Sequence, residues 1–233
     1  MSEVINKVNQ AIILAAGRGL RLMPYTKNTP KPLMKIGNQT LLERQLNQLK
    51  LAGVEYVTIH TSYLGYKIKE YIGNGDRFDL EINYAHSDEL LGAGGGIVFA
   101  RDYLKNPNNE FLLLNGDVLT DYNFSELLNL DKKDFVLKLV LIDNPKHNPK
   151  GDFNLDLNVV SKKKGKTFTY SGIAIIKPEL FKRENINNIE SFLILIEPYL
   201  NNNLIFGEYY NGSWDDIGNP ERLDEIRNNL TGN

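Results

Sequence analysis

The sequence predicts a doubly wound α/β domain, on three observations. Strand-like and helix-like patterns alternate from Ala11 to Ile142. Two of the strand-like stretches, Ala11 to Ala16 and Phe111 to Leu114, are solid apolar runs, the pattern of strands buried on both faces. A glycine turn, Gly17-Arg18-Gly19, follows the first run directly. In a sheet wound this way the site lies at the carboxyl ends of the strands.

The first strand, Ala11 to Ala16, runs into a turn whose glycines let backbone approach a ligand closely. Bare amides in such a turn form a nest for phosphate oxygens. Arg21 and Lys31 add cations, one a planar fork and the other a point charge. Pro30 and Pro32 bracket Lys31 and aim it. A helix follows: Thr40 and Glu43 form a capping box, Leu42, Leu46 and Leu49 share a face, and Gly53 ends it. Val54 to Ile59 is a strand, Lys67 to Ile72 a short helix, and Leu80 to Ala85 a third strand. Gly94-Gly95-Gly96 opens an apolar-faced segment, Ile97 to Leu104. The central strand Phe111 to Leu114 leads to a helix from about Ser125 and a strand from Phe135 to Ile142.

After Asp143 the rhythm changes. Asn144-Pro145 and Asn148-Pro149 mark loops. Phe153 to Val160 and Thr167 to Ala174 read as a β-hairpin, with Lys162 to Lys166 as its solvated tip. Helical segments near Pro178 and from Ser191 to Leu200 precede a strand, Ile205 to Tyr209. Trp214 reads as core, and the last helix, Pro220 to Leu230, opens on proline. No repeat and no linker interrupts the 233 residues, so one domain, 1–233, is expected.

Composition excludes several classes. A formal net charge of −2 argues against a general polyanion binder, so no nucleic-acid partner is expected. The absence of cysteine removes disulfide and thiolate chemistry. Met1 to Gln10 lacks the pattern of a secretory signal, and no apolar run approaches a membrane span. The expectation is a cytoplasmic protein with no membrane partner.

For Gly17 to Leu22, a plain surface loop competes with two phosphate-binding readings. A dinucleotide fingerprint wants a third glycine where Leu22 stands, and an acid at the end of Tyr56 to Thr61, which has none. A Walker loop is not the source, because no Gly-Lys-Ser or Gly-Lys-Thr closes this stretch. Asn115-Gly116-Asp117 ends a central strand, with too few residues after it for a hairpin return, so Asp117 would face the cleft. One or two carboxylates with phosphate oxygens and water suit Mg²⁺, and Asp215-Asp216 offers the second, against a plain turn. The run from Gly92 to Gly96 could admit a flat base or a close helix–sheet contact. His60, His86 and His147 have no metal-ligand spacing and read as structural or surface residues.

Gly17-Arg18-Gly19-Leu20-Arg21-Leu22, Thr29-Pro30-Lys31-Pro32-Leu33 and Asn115-Gly116-Asp117 together resemble the signature of sugar-1-phosphate nucleotidyltransferases. Asp117 to Tyr122, Asp143-Asn144-Pro145, Gly151-Asp152-Phe153, Phe168 to Gly172 and Trp214 to Gly218 resemble a short bacterial subgroup that uridylylates N-acetylmuramic acid α-1-phosphate. The likeness runs from about Gln10 to Arg227. It implies a Rossmann-like nucleotidyltransferase fold, a mixed, mostly parallel sheet with a β-hairpin insertion that binds sugar. Residues 10–142 would form the nucleotide half, 143–218 the sugar-binding portion and 219–233 the C-terminal helix. UTP and a sugar 1-phosphate would be the partners of a monomeric enzyme, with Mg²⁺ as cofactor and peptidoglycan precursor recycling as context. Ala15, Gly17, Gly19, Leu20, Arg21, Lys31 and Gly94 would bind the nucleotide, with Arg21 and Lys31 catalytic. Asn115, Asp152 and Gly172 would bind the sugar, and Asp117 and Asp216 the metal. Two departures stand out. Leu20 replaces the Thr, Ser or Glu of many relatives, leaving a backbone role. The Glu-Lys-Pro motif of hexose-1-phosphate enzymes is absent between Val159 and Thr169, so no second catalytic lysine is assigned. A hexose-1-phosphate uridylyl- or thymidylyltransferase is the alternative within the family. A non-catalytic nucleotide sensor is the alternative outside it.

Overall fold

The computed structural model describes residues 7–129, 135–162, 165–182, 189–200 and 202–231, with side chains as far as Asn228 at the end. Strand β1 (Gln10–Leu14) is followed by three short 3-10 turns, Leu20–Leu22, Tyr25–Lys27 and Lys31–Leu33. A small ribbon of β2 (Lys35–Ile36) and β3 (Gln39–Thr40) leads into α1 (Leu41–Ala52). Then come β4 (Tyr56–Thr61), α2 (Gly65–Ile72), β5 (Glu81–His86), α3 (Gly92–Arg101) and β6 (Phe111–Asn115). Next are β7 (Val118–Thr120), α4 (Phe124–Leu127) and β8 (Leu137–Ile142). The second half holds β9 (Phe153–Asp156), β10 (Val159–Ser161), β11 (Thr167–Ile176) and α5 (Phe192–Ile196). It ends with β12 (Ile205–Tyr209), β13 (Trp214–Asp216) and α6 (Pro220–Thr231).

One sheet carries the molecule, in the order β5-β4-β1-β6-β11-β8-β12-β10-β9. The first four strands are mutually parallel, and β8 pairs with β12 in parallel. The other five pairings are antiparallel, and β9 also returns to β11, so β11, β8, β12, β10 and β9 close a five-strand ring. The expected mixed, mostly parallel sheet is thus mixed but not mostly parallel, with four parallel pairings and five antiparallel ones. The reason is chemical: a buried apolar run such as Ile173 to Ile176 looks the same whichever way its neighbours run.

Helix α1 buries Leu42, Leu46 and Leu49 against one sheet face, in a core shared with Ile68 and Ile72 of α2. On the other face, Ile97 and Ala100 of α3 and Leu195 and Ile196 of α5 pack on Ile12 and Leu113. Strand β1 is buried on both faces, and its lone polar residue, Gln10, is satisfied: Nε2 donates to Asn106 O at 2.9 Å and Oε1 accepts from Asn106 N at 3.1 Å.

Local expectations fare differently. The capping box of α1 forms in both directions, Glu43 N to Thr40 Oγ1 at 3.2 Å and Thr40 N to Glu43 Oε2 at 2.7 Å. Gly53 ends the helix at φ 92°. The expected hairpin with a lysine tip is corrected. Its first strand breaks at Leu157 and Asn158, both with positive φ, so the hairpin is β9–β10. Lys163 and Lys164 lie outside the described residues. Gly165-Lys166-Thr167 does make a Gly-Lys-Thr triplet, but it leads into strand β11 rather than a helix, and Val160 occupies the place of the first Walker glycine. Trp214 is half-buried rather than core, with Nε1 donating to Ser171 O at 2.9 Å. No helix among the described residues is long and apolar enough to cross a membrane.

Removal of the α1 cap tests this account. Thr40→Ala should lower unfolding free energy by about 1 kcal/mol, read as a lower urea midpoint at unchanged slope.

Candidate active site

Parallel pairing of β1 with β6 sends the turns after both strands to one edge. There they meet: Gly116 N donates to Leu14 O at 2.9 Å, and a Cβ on Gly116 would stand 2.7 Å from that oxygen. Only glycine allows the approach. A cleft of about 530 Å³ opens beside this contact.

The glycine turn forms one wall. Ala15, Gly17, Gly19, Leu20 and Arg21 line the cleft, as does Arg18. Gly19 takes the left-handed conformation at φ 62°, with Thr26 Oγ1 donating to its carbonyl at 2.8 Å. The amides of Gly17, Arg18 and Gly19, three residues that line the cleft, make no hydrogen bond to any described residue, so three donors are left to a ligand. Arg18 and Arg21 have no ion-pair partner among the described residues, and their charge is available at the mouth. Leu20 is 69% exposed and contributes only backbone and an apolar rim.

Lys31, Asn115 and Asp117 also line the cleft. Lys31 Nζ forms an ion pair with Asp117 Oδ2. Gln45 braces the turn from behind, its Nε2 donating to Asn115 O at 2.8 Å and Val118 O at 2.9 Å. Gly172, at φ 82°, touches Asn115: a Cβ there would stand 2.8 Å from Asn115 Nδ2. Gly172 thus shapes the site through Asn115 and does not line the cleft.

Asp216 reaches the same edge by another route. Strand β13 pairs antiparallel with β7, placing Asp216 opposite Val118, and Ile217 N donates to Asp117 O at 3.1 Å. Arg222 of α6 ion-pairs with both Asp215 and Asp216. His147 Nε2 lies 3.4 Å from Asp216 Oδ1. That oxygen is buried, and neither neighbour meets hydrogen-bond geometry with it. Asp117 lines the cleft and Asp216 does not, but the bond from Ile217 N to Asp117 O brings the two segments together, and these are the carboxylates the sequence offers to a divalent cation. Among the described residues no group of three or more His, Cys, Asp or Glu side chains could hold one. One or two carboxylates suit Mg²⁺ completed by phosphate oxygens and water, and each of these two already faces a cation, Asp117 that of Lys31 and Asp216 that of Arg222.

Two expected residues sit differently. Gly94 does not line the cleft, though Gly92 and Ala93 do. Its amide donates to Glu190 O at 3.2 Å, and a Cβ on it would stand 2.6 Å from Ser191 O. Asp152 is committed to its loop, Oδ1 accepting from Asn148 Nδ2 at 3.0 Å and Oδ2 from Tyr170 N at 2.8 Å. Sequence reading missed Gln45 and Arg222. Arg222 left a signal, since a cation in the first turn of a helix opposes the dipole and needs a local partner.

His60 also lines the cleft. Ser87 Oγ donates to Glu89 O at 2.9 Å, so it accepts from His60 Nε2 at 3.1 Å, which makes His60 the neutral Nε2–H tautomer. Burial, helped by His86, holds its pKa down at about 4. The unfolded chain therefore takes up this proton first as pH falls. His60's stability contribution is whole above the ordinary value of 6.5 and is lost as pH drops toward about 4. His60→Gln should remove that loss, on the order of 3 kcal/mol, from the pH dependence of urea unfolding.

Residues 10–153 match the family described as nucleotidyl transferase. An N-acetylmuramate alpha-1-phosphate uridylyltransferase of Neisseria meningitidis serogroup B is 35% identical over 94% of this chain and 96% of its own. A mannose-1-phosphate guanylyltransferase catalytic subunit beta of Xenopus tropicalis is 27% identical over 91% of this chain, which spans 62% of that longer protein. The crystal structure of HddC from Yersinia pseudotuberculosis superposes with TM-score 0.79 at 22% identity, covering 96% of this chain and all of that one, which shows a shared fold. The phosphate-ready turn, the facing Lys31 and Asp117 and these matches agree: the chain belongs to the nucleotidyl transferase family.

Proposed function

We propose that the chain transfers the uridylyl group of UTP to N-acetylmuramic acid α-1-phosphate, giving UDP-N-acetylmuramic acid and pyrophosphate. The observation that carries this reading is the likeness to the Neisseria uridylyltransferase across nearly both whole chains. The cleft supplies what such a transfer needs. A phosphate oxygen of the sugar attacks the α-phosphorus of UTP, the α–β bridging P–O bond breaks, and pyrophosphate leaves with the electron pair. The attacking oxygen is already anionic, so no general base is required and catalysis is positioning and charge neutralisation. The free amides from Gly17 to Gly19 cradle the triphosphate. Arg21 stabilises charge building on the leaving pyrophosphate, and Lys31 orders the two phosphates. Asp117 and Asp216 hold Mg²⁺, which when bound neutralises the reacting phosphates. Asn115 faces the sugar, and the loop that carries His147 and Asp152 closes the acceptor side. The protein acts as a cytoplasmic monomer on peptidoglycan precursors.

The Xenopus guanylyltransferase likeness supports a second reading, a hexose 1-phosphate acceptor. A panel of sugar 1-phosphates against the four nucleoside triphosphates, read by pyrophosphate release, separates them. N-Acetylmuramic acid 1-phosphate with UTP should lead, and N-acetylglucosamine 1-phosphate should trail by roughly a hundredfold in kcat/KM. Equal turnover of glucose or mannose 1-phosphate would replace the muramic reading by the hexose one. Asp117→Asn should remove most turnover with the fold intact, and chelation should do the same to the native protein until Mg²⁺ is added back. Activity in excess EDTA would remove the metal from the account. Arg21→Lys should lower kcat more than it raises KM, since the fork acts on charge that builds in the transition state. A pure KM effect would reduce Arg21 to a binding residue.

A further inference from the structure

Both carboxylates of the metal pair carry a resident cation. Asp117 is paired with Lys31, and Asp216 with Arg222. The two cations are held differently. Arg222 spans Asp215 and Asp216, so it keeps one partner if Asp216 is taken. Lys31 Nζ contacts Asp117 alone among the described residues. Its backbone is fixed between Pro30 and Pro32 in the turn Lys31–Leu33, leaving only side-chain torsions to move. Its Cβ lies 3.5 Å from where a Cβ on Gly19 would stand, so its stem starts beside the phosphate-ready turn.

We infer that Lys31 is a two-position switch, an inference that rests on the proposed nucleotidyl transfer. In the free protein its ammonium neutralises Asp117 and keeps a divalent cation out. When a nucleoside triphosphate enters, the ammonium moves to the phosphates and Asp117 is released to the metal. Two carboxylates, one already paired with a lysine, are too few ligands to retain Mg²⁺ by themselves. The nucleotide therefore supplies both the missing oxygens and the alternative anion for Lys31. Metal and nucleotide enter together, and the ammonium on Asp117 lowers the negative charge that a triphosphate meets on entry.

The test uses Mn²⁺ as probe, with the free ion followed by electron paramagnetic resonance on the full chain. Without nucleotide, Lys31→Met should bind Mn²⁺ tighter than wild type by about tenfold or more, since an unpaired carboxylate attracts the cation that the ammonium had repelled. Asp117→Asn in the Lys31→Met background should abolish that gain. Wild type should bind Mn²⁺ tightly only when UTP is added. Lys31→Gln and a thermal melt of each variant show that the gain belongs to the lost charge and not to a damaged fold. The switch is overturned if Lys31→Met and Lys31→Gln gain no Mn²⁺ affinity, or if wild type binds Mn²⁺ as tightly without UTP as with it. Turnover of wild type in the same buffer keeps the two ideas apart. Uridylyl transfer by wild type with no gain in the variants removes the switch and leaves the reaction standing.

Discussion

The contact between Gly116 N and Leu14 O is the constraint on which the site depends. Two parallel strands end together there, and the backbones leaving them touch before they diverge. One becomes the glycine turn with its free amides, and the other becomes Asn115 and Asp117. Because backbone meets backbone, the spacing of the two turns where they leave the sheet is set by peptide geometry. Gln45 reinforces the arrangement by donating to two carbonyls of the second turn. Its position on α1 links the site to the core face that the same helix packs.

A satellite core explains how residues far apart in sequence share this cleft. Leu22 and Met34, which flank the phosphate-ready turn and Lys31, pack with Ile36 and Leu41 against Ile217, Leu223 and Ile226. The C-terminal strand and helix are thereby fastened to the N-terminal loop. Close-packed interiors do not deform continuously. The glycine turn and the Asp216 segment are therefore tied to one apolar cluster, while the long side chains of Arg18 and Arg21 are exposed at the rim.

The sequence was most legible where the cause of structure is local. The cap at Thr40, the glycine turn and the apolar run of β6 are each set within a few residues. Pairing partners are set at long range. Nothing in Val159 to Ser161 says that it joins β12 and β9 rather than β11. The asymmetric turn at Leu157 and Asn158 was hidden because neither residue is a glycine. That Asn115, Asp117 and Lys31 meet at one cleft was legible because strand end, glycine and proline mark them. Gly94 was ambiguous because a glycine permits close approach without naming what approaches, and here it is the backbone of Glu190 and Ser191. Arg222 acts through a contact with β13, which composition and periodicity do not encode.

Asp152 shows how the loop of residues 143–152 is organised. Its oxygens accept from Asn148 Nδ2 and from Tyr170 N, so the carboxylate stitches the loop of residues 143–152 to β11. Asn144 makes the second stitch, donating to Thr167 O at 3.2 Å and accepting from Thr169 Oγ1 at 3.0 Å. Gly151, at φ 60°, lets the loop fold back over Asn144, where a Cβ would stand 2.5 Å from Oδ1. The outcome is a loop held at both ends with His147 directed at Asp216. A carboxylate already accepting two hydrogen bonds contributes more to the shape of that loop than to a direct grip on a sugar hydroxyl. Under the proposed transfer, discrimination among sugar phosphates would then rest on where the loop stands, and Asp152 would act on the acceptor chiefly by fixing that position.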